Sequence, residues 1–200
     1  MTAAQQAPLG RRERNKQDKL NRIIESASAL FSKHGVDEVT TQMIAEHADI
    51  GAGTLFLYAK TKGELLLLVQ NVHYAQALAQ GRAAAANIDS PLDAVMAIVT
   101  EIVTCNRVHV DNGRTYLREM VFGNPAEPHH AEALRIVAET DEAIVEVLTR
   151  TGMEKTEQAT TLARIVSAIM FVSMAASPNA AASEHEVVGQ IRQQCEVLIS

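Results

Sequence analysis

The chain has 200 residues, 47% of them apolar and 21% charged, ordinary proportions for a well-cored globular protein, which removes intrinsic disorder as the default. Aromatic residues make up only 4%, with no Trp, so a core has to be built from aliphatic side chains, and the spacing of those is helical. Net charge is −6, yet residues 1–62 carry nine Lys and Arg against seven Asp and Glu while residues 63–200 carry nine against seventeen, a basic head on an acidic body that keeps nucleic acid among the candidate partners.

After a polar start, Leu20, Ile23, Ile24, Ala27, Leu30 and Phe31 recur at three- and four-residue intervals and predict a first helix that stops at Gly35, with Val36 packing back on its last turn. Thr40 then caps a short helix, Thr41 to Ala48, whose buried face is Ile44 and Ala45. Asp49 to Gly53 read as a turn and Thr54 to Tyr58 as another short helix, so two helices lie a few residues apart, the spacing of a helix-turn-helix. Beyond Lys60–Gly63 a long helix carrying Leu65 to Val69 runs towards Asn87.

Ser90 and Pro91 open the next helix as N-cap and first-turn proline, with Leu92, Val95, Met96, Val99 and Val103 on one face. Asp111–Gly113 are expected to end it, Gly123–Pro125 the following helix, and Gly152 a third that carries Leu134, Val137, Ile144 and Leu148. Thr160 to Ala176 is apolar nearly all round and needs cover on both faces. Pro178 closes it, and Glu184 to Ile199 form a last amphipathic helix. The fold class is therefore all-α.

Taken together, residues 16–68 hold an apolar helix, Gly35, the Thr40–Thr41 pair, Ile44–Ala45, a Gly-containing turn, Thr54–Leu55, Tyr58, Lys62 and a Leu cluster. This set resembles the TetR family of transcriptional regulators. The resemblance implies a three-helix DNA-binding domain, a fourth helix linking it to a C-terminal helical body for ligand binding and dimerisation, and dimer contacts through the last two helices. On that basis residues 1–15 are a flexible basic arm including Arg11, Arg12 and Arg14, residues 16–62 the DNA-binding domain, and residues 63–200 the ligand-binding and dimerisation domain.

The resemblance also assigns DNA contacts. Thr41 and Gln42 open the second helix beside a phosphate or base edge, and Ala52, Gly53 and Thr54 lead the recognition helix. Leu57 meets a thymine methyl, while Tyr58 and Lys62 reach phosphates. Departures at Gly51, Ala52, Phe56 and Ala59 bear on which operator is read, and since Ala52 and Leu57 cannot make bidentate base contacts, discrimination falls to Gln42, methyl contacts and DNA shape.

For the body, local chemistry nominates a ligand pocket of Met96, Val99, Val103, Asn106, His109, Tyr116, Met120, Phe122, Phe171 and Met174, suited to a mainly apolar compound with one or two polar handles. Ile165, Ile169, Val172, Val188, Ile191 and Cys195 are the candidate dimer face. The partners expected are double-stranded operator DNA, a second copy of the chain and a small-molecule effector, with no membrane and no cofactor. The start of the chain lacks the apolar segment of a secretion signal, no stretch reaches the roughly 18 uninterrupted apolar residues of a membrane span, and Cys105 and Cys195 show no CxxC spacing, which together predict a cytoplasmic protein.

Two rival classes frame this reading. A helical-bundle enzyme or metal-binding protein would need paired ExxH motifs; Glu127 to His130 gives one, interrupted by Pro128 and suited to a loop, and His129 and His130 read as surface histidines. No GxSxG, HExxH or Walker-type loop occurs, so no catalytic residues are assigned and the chain is not expected to be an enzyme. A helical interaction protein that merely keeps the fold is opposed by the basic head and by Tyr58 and Lys62.

Overall fold

The computed structural model describes residues 10–153 and 155–199. Nine α-helices run in order through them, α1 (Arg11–Glu38), α2 (Thr41–His47), α3 (Ala52–Leu55), α4 (Lys62–Ala85), α5 (Pro91–Arg107), α6 (Val110–Phe122), α7 (Pro128–Arg150), α8 (Thr156–Ala175) and α9 (Glu184–Leu198), with a one-turn 3-10 helix at Ser177–Asn179 and no strand among the described residues.

The helix starts follow local chemistry. The side chains of Thr40, Thr61 and Ser90 accept from the amides of Met43, Glu64 and Asp93, and Ser183 forms a reciprocal capping box with Glu186, each satisfying backbone donors that a helix leaves unpaired. Gly35 adopts φ +76 and breaks α1 inside its range, leaving a last short turn through Val36 to Glu38. Asp49, at φ 51, makes the same left-handed reversal between α2 and α3, a conformation tolerated by short polar side chains.

The head packs α1, α2 and α3 around Ile23, Ala27, Phe31, Ile44, Ala45 and Leu55, all buried. Helix α4 is the spine, packing on α1 of the head and on α5, α6 and α7 of the body. Leu65 to Val69 are buried without interruption because neighbours surround that part of the helix; no amphipathic stripe is needed there.

Several boundaries differ from expectation. Arg11 to Asn15 are already helical, so the expected arm over 1–15 is replaced by helix there, and its first nine residues lie outside the described ones. The recognition helix begins at Ala52 and ends at Leu55, with Phe56 to Tyr58 in turn geometry. Asp111, Asn112 and Gly113 do not end a helix but lie in the first turn of α6, capped by His109. Pro128 is likewise the first residue of α7, where its missing N–H costs nothing, so His129 and His130 belong to a helix start and not to a loop. On α7 Leu134 is exposed, and the inward face is Ala133, Ile136, Ala143, Ile144, Val147 and Leu148.

Candidate DNA-binding face and effector cavity

At the outer end of the head, α3 presents its small residues outward. Nothing lies within 4 Å of where a Gly53 side chain would start, Ala52 and Thr54 are half-buried, and Leu57 and Phe56 are 83% and 47% exposed. Two exposed apolar side chains beside an open glycine make a surface that costs free energy in water and can be covered by base methyls and sugar. A groove between the start of α1 and this turn is lined by Arg12, Lys16 and Lys19 on one side and Thr54, Leu57 and Tyr58 on the other. The basic residues at the start of α1 thus flank the recognition helix from a helical segment.

The polar groups of the expected contacts are engaged within the head. The Tyr58 hydroxyl donates to the Lys16 carbonyl at 3.2 Å, Lys62 Nζ to the Asp37 carbonyl at 3.1 Å, and Gln42 Nε2 to Glu46 Oε1 at 2.8 Å. Thr41 is half-buried beside Gln42 at the start of α2. All three bonds are exposed, so a phosphate or base can replace them at little cost.

In the body, a part-open cavity of about 70 Å³ lies between α4, α5, α6, α7 and α8. Tyr116, Met120, Phe171 and Met174 line it, joined by Tyr74, Ile136, Val137 and Thr140 among others. The rings of Tyr74 and Tyr116 stack at 4.4 Å with 16° between planes. The Tyr116 hydroxyl donates to Asn71 Oδ1 at 2.9 Å, and Asn106 Nδ2 donates to the Tyr74 hydroxyl at 2.6 Å. Burial first, then the neighbouring phenol and thiol, pushes the Tyr74 hydroxyl well above the ordinary tyrosine value, and burial pushes that of Tyr116 up and the Cys105 thiol to about 11. All three are neutral at physiological pH.

Other nominated pocket residues lie elsewhere. Met96, Val99 and Val103 are fully packed in the core and do not reach the cavity, because α5 turns that stripe towards its neighbours and only Ile102 to the opening. Asn106 reaches it indirectly, through Tyr74. His109 belongs to a separate small cavity between α1, α4 and the α5–α6 turn, and Phe122 is 81% exposed on a surface cleft.

On the candidate dimer face, Ile165 and Val172 of α8 are exposed and Ile169 and Val188 half-buried, whereas Ile191 and Cys195 are fully buried within their own subunit. Those two are a correction: α9 turns them towards α5 and α8. At the end of α9 the exposed apolar residues are Val197 and Leu198.

Three groups were not anticipated from sequence. Asn112 of α6 is buried against the end of α1, accepting from the Val36 amide at 2.7 Å and donating to the Phe31 carbonyl at 2.8 Å. His129 Nε2 lies 2.7 Å from the Tyr58 carbonyl, and Lys60 pairs with Glu127 at 2.7 Å, so the start of α7 grips the turn after the recognition helix. His130 is 3% exposed. Only the pairing of Pro128 with an N-terminal helix position could have signalled this start.

Residues 23–69 match the family model described as bacterial regulatory proteins, tetR family, the span that holds the head helices and the first turns of α4. Over this span the chain is similar to the TetR family of regulators. A curated TetR-family relative, the HTH-type transcriptional repressor KstR of Rhodococcus jostii (strain RHA1), is 23% identical over 182 residues, 91% of this chain and 83% of the relative. Among solved structures, a TetR transcriptional regulator from Rhodococcus sp. RHA1 superposes with a TM-score of 0.68 at 21% identity, covering 92% of this chain and 97% of that one. Thermus thermophilus FadR, a TetR-family repressor in complex with lauroyl-CoA, gives 0.70 at 19% identity, covering 90% and 92%. At these identities the solved structures establish a shared TetR fold.

Proposed function

We propose that the chain is a ligand-responsive transcriptional repressor, a homodimer that binds a near-palindromic operator and is released from it by a small, mainly apolar inducer. The observation that carries this reading is the pairing of an open recognition helix with a small apolar cavity in the body, the head and the body being joined through one spine helix, α4. Thr41, Gln42, Ala52, Gly53, Thr54, Leu57, Tyr58 and Lys62 are the DNA contacts in this proposal, with residues 16–62 as the DNA-binding domain and residues 63–200 as the regulatory body. The chain works in the cytoplasm and has no catalytic role.

Two recognition helices enter successive major grooves, so half-sites lie about one helical turn, roughly 34–36 Å, apart. The partner copy covers the outer face of α8 around Ile165 and Val172, with α9 beside it, an arrangement of two helices from each subunit. Overlap of the operator with a promoter blocks transcription.

A cavity of about 70 Å³ holds about two waters' share of liquid volume, whereas pockets for organic ligands run to roughly 300 Å³ or more. The inducer therefore has to part the helices to enter, which makes its binding a bias between two body conformations. The Thr140 hydroxyl is committed to the Ile136 carbonyl and the Ser167 hydroxyl to Asp141, so the wall offers mostly apolar surface. An acyl chain of the kind in lauroyl-CoA, the ligand of the Thermus thermophilus relative, suits such a wall.

Selection of bound fragments from the source genome, followed by footprinting, tests the proposal. Protection of a near-palindrome, relieved by lauroyl-CoA or another long-chain apolar compound, is expected; protection that no apolar compound relieves would overturn the inducer half of the reading.

A further inference from the structure

The stacked tyrosines of the cavity wall are joined to the recognition helix by a continuous chain of hydrogen bonds. Tyr116 on α6 donates its hydroxyl to Asn71 Oδ1 on α4 at 2.9 Å; Asn71 Nδ2 donates to the His129 carbonyl at the start of α7 at 2.8 Å; and His129 Nε2 meets the Tyr58 carbonyl at 2.7 Å. Tyr58 sits at the end of the turn that follows α3, three residues beyond its last helical residue. We propose that Asn71 and His129 are positioning residues that set the recognition helix according to what the cavity holds.

The polarity of the chain is fixed from its DNA end. A carbonyl only accepts, so His129 carries its proton on Nε2, and the Asn71 amide has to turn its NH2 towards the other carbonyl. That leaves Asn71 Oδ1 towards Tyr116, which has no choice but to donate. Tyr116 and Asn71 are both buried, so loss of the phenol hydroxyl contact leaves an oxygen without a partner and without water, at a penalty larger than the bond's own net worth. The amide then reorients, and the His129 carbonyl loses its donor in turn.

An inducer is placed to start this sequence. The Tyr116 ring is part of the cavity wall, and a cavity too small for an organic ligand opens only by displacing its wall. Movement of α6 carries the phenol away from α4; the first turn of α7 loses its hold on Asn71, and with it the grip of His129 on Tyr58 and of Glu127 on Lys60. Since a cavity this small is the ligand-free state, the intact chain belongs to the conformation that binds DNA.

This inference rests on the repressor reading, and the test separates the two. In the full-length protein labelled with nitrogen-15, Tyr116→Phe removes one hydroxyl and keeps the stacked ring, His129→Ala removes the far end, and Thr140→Val alters a hydroxyl on the same wall that bonds within its own helix. The amide resonances of Tyr58, Ala59 and Lys60 are expected to shift in the first two and stay in the third. On the selected operator, Tyr116→Phe and His129→Ala should each weaken binding about fivefold or more, the lower end of ordinary allosteric couplings, and the double variant no further than the worse single one. Shifts from Tyr116→Phe confined to the cavity helices, or additive losses on the operator, would overturn the relay. Should Tyr116→Phe fail to fold, Asn71→Asp keeps the acceptor for the phenol, loses the donor to His129 and carries the same test. Absence of any operator would defeat the repressor reading while the resonance shifts still decide the relay.

Discussion

Asn112 on α6 accepts a hydrogen bond from the Val36 amide at 2.7 Å, directly after the left-handed Gly35 that breaks α1. The same side chain donates to the Phe31 carbonyl, so a residue of the body serves as the C-terminal cap for a helix of the head. Asn112→Ala leaves a buried amide and a buried carbonyl unpaired and should lower stability by about 2–6 kcal/mol, the sum of two ordinary unsatisfied-group penalties. Urea unfolding of the variant against the parent checks this, and a loss under about 0.5 kcal/mol, the range of a neutral surface change, would show that the cap is not stabilising.

Two glycines mark where helices approach too closely for a side chain. A Cβ on Gly113 would lie 2.2 Å from the Asn106 carbonyl oxygen, and one on Gly81 would lie 2.8 Å from the Ile98 Cα. Both obstacles are backbone, so Gly113→Ala and Gly81→Ala have to shift the α5–α6 turn and the α4–α5 packing, at about 1–3 kcal/mol each. Gly53→Ala, with open space around it, should leave the melting temperature within a degree or two of the parent, and differential scanning calorimetry distinguishes the three.

Those glycines also show why the sequence was legible only in part. Gly35 announced a helix end because a left-handed cap is a local event, and Thr40, Ser90 and Pro91 announced helix starts for the same reason. Asp111–Gly113 carry the composition of a stop, yet they form the first turn of α6, since Gly113 is there to let α6 pass over Asn106, a contact that depends on tertiary packing. The Tyr116, Met120, Phe171 and Met174 side of the cavity followed from apolar spacing on helices bordering it. Tyr74 and Asn71 did not, because the buried stripe they share with Ala77, Leu78 and Gly81 on α4 is made of a polar Asn and small residues as much as of large apolar ones, too little contrast for periodicity to single it out. Met96, Val99 and Val103 form a stripe as regular as any, and periodicity cannot say whether a buried face meets another helix or a void.

Burial pushes the Glu64 carboxyl above its ordinary value of 4.5, with His129 only partly opposing the shift. The folded chain therefore keeps this proton to higher pH than the unfolded chain, and stability is lost as pH rises from about 4.5 through the raised value. Glu64→Gln removes that dependence. The stability of the variant relative to the parent should rise with pH over this window and level off above it, as followed by urea unfolding between pH 4 and 8. A difference that stays flat would mean that the carboxyl ionises freely in the folded state.

Val172 is 62% exposed on the outer face of α8 and Val72 is 41% exposed on α4. If the α8 face meets a second copy, Val172→Glu puts two unpaired charges into an apolar contact and should shift the protein to monomer at micromolar concentration in sedimentation, with loss of operator binding. Val72→Glu, on α4 beside Leu20 and Ile24 of α1 and away from α8, should leave the dimer intact. Monomer in both, or dimer in both, would move the interface elsewhere.

Gln42 is the one long polar side chain at the expected base-reading positions, and in the free protein it bonds only to exposed Glu46. Gln42→Ala should raise the dissociation constant for the operator about tenfold, near the cost of one lost base contact, while binding to random DNA changes by less than about twofold. Equal losses on both, by fluorescence anisotropy, would leave discrimination to methyl contacts and DNA shape.

The central claim is tested most directly by the affinity of the purified protein for its genome-selected site and for random duplex, measured across a salt series. The account predicts a saturable site bound about a thousandfold or more tighter than random DNA, with both affinities falling as salt rises because Lys62 and the basic start of α1 displace counterions. Equal affinity for the two duplexes at every salt concentration would contradict it.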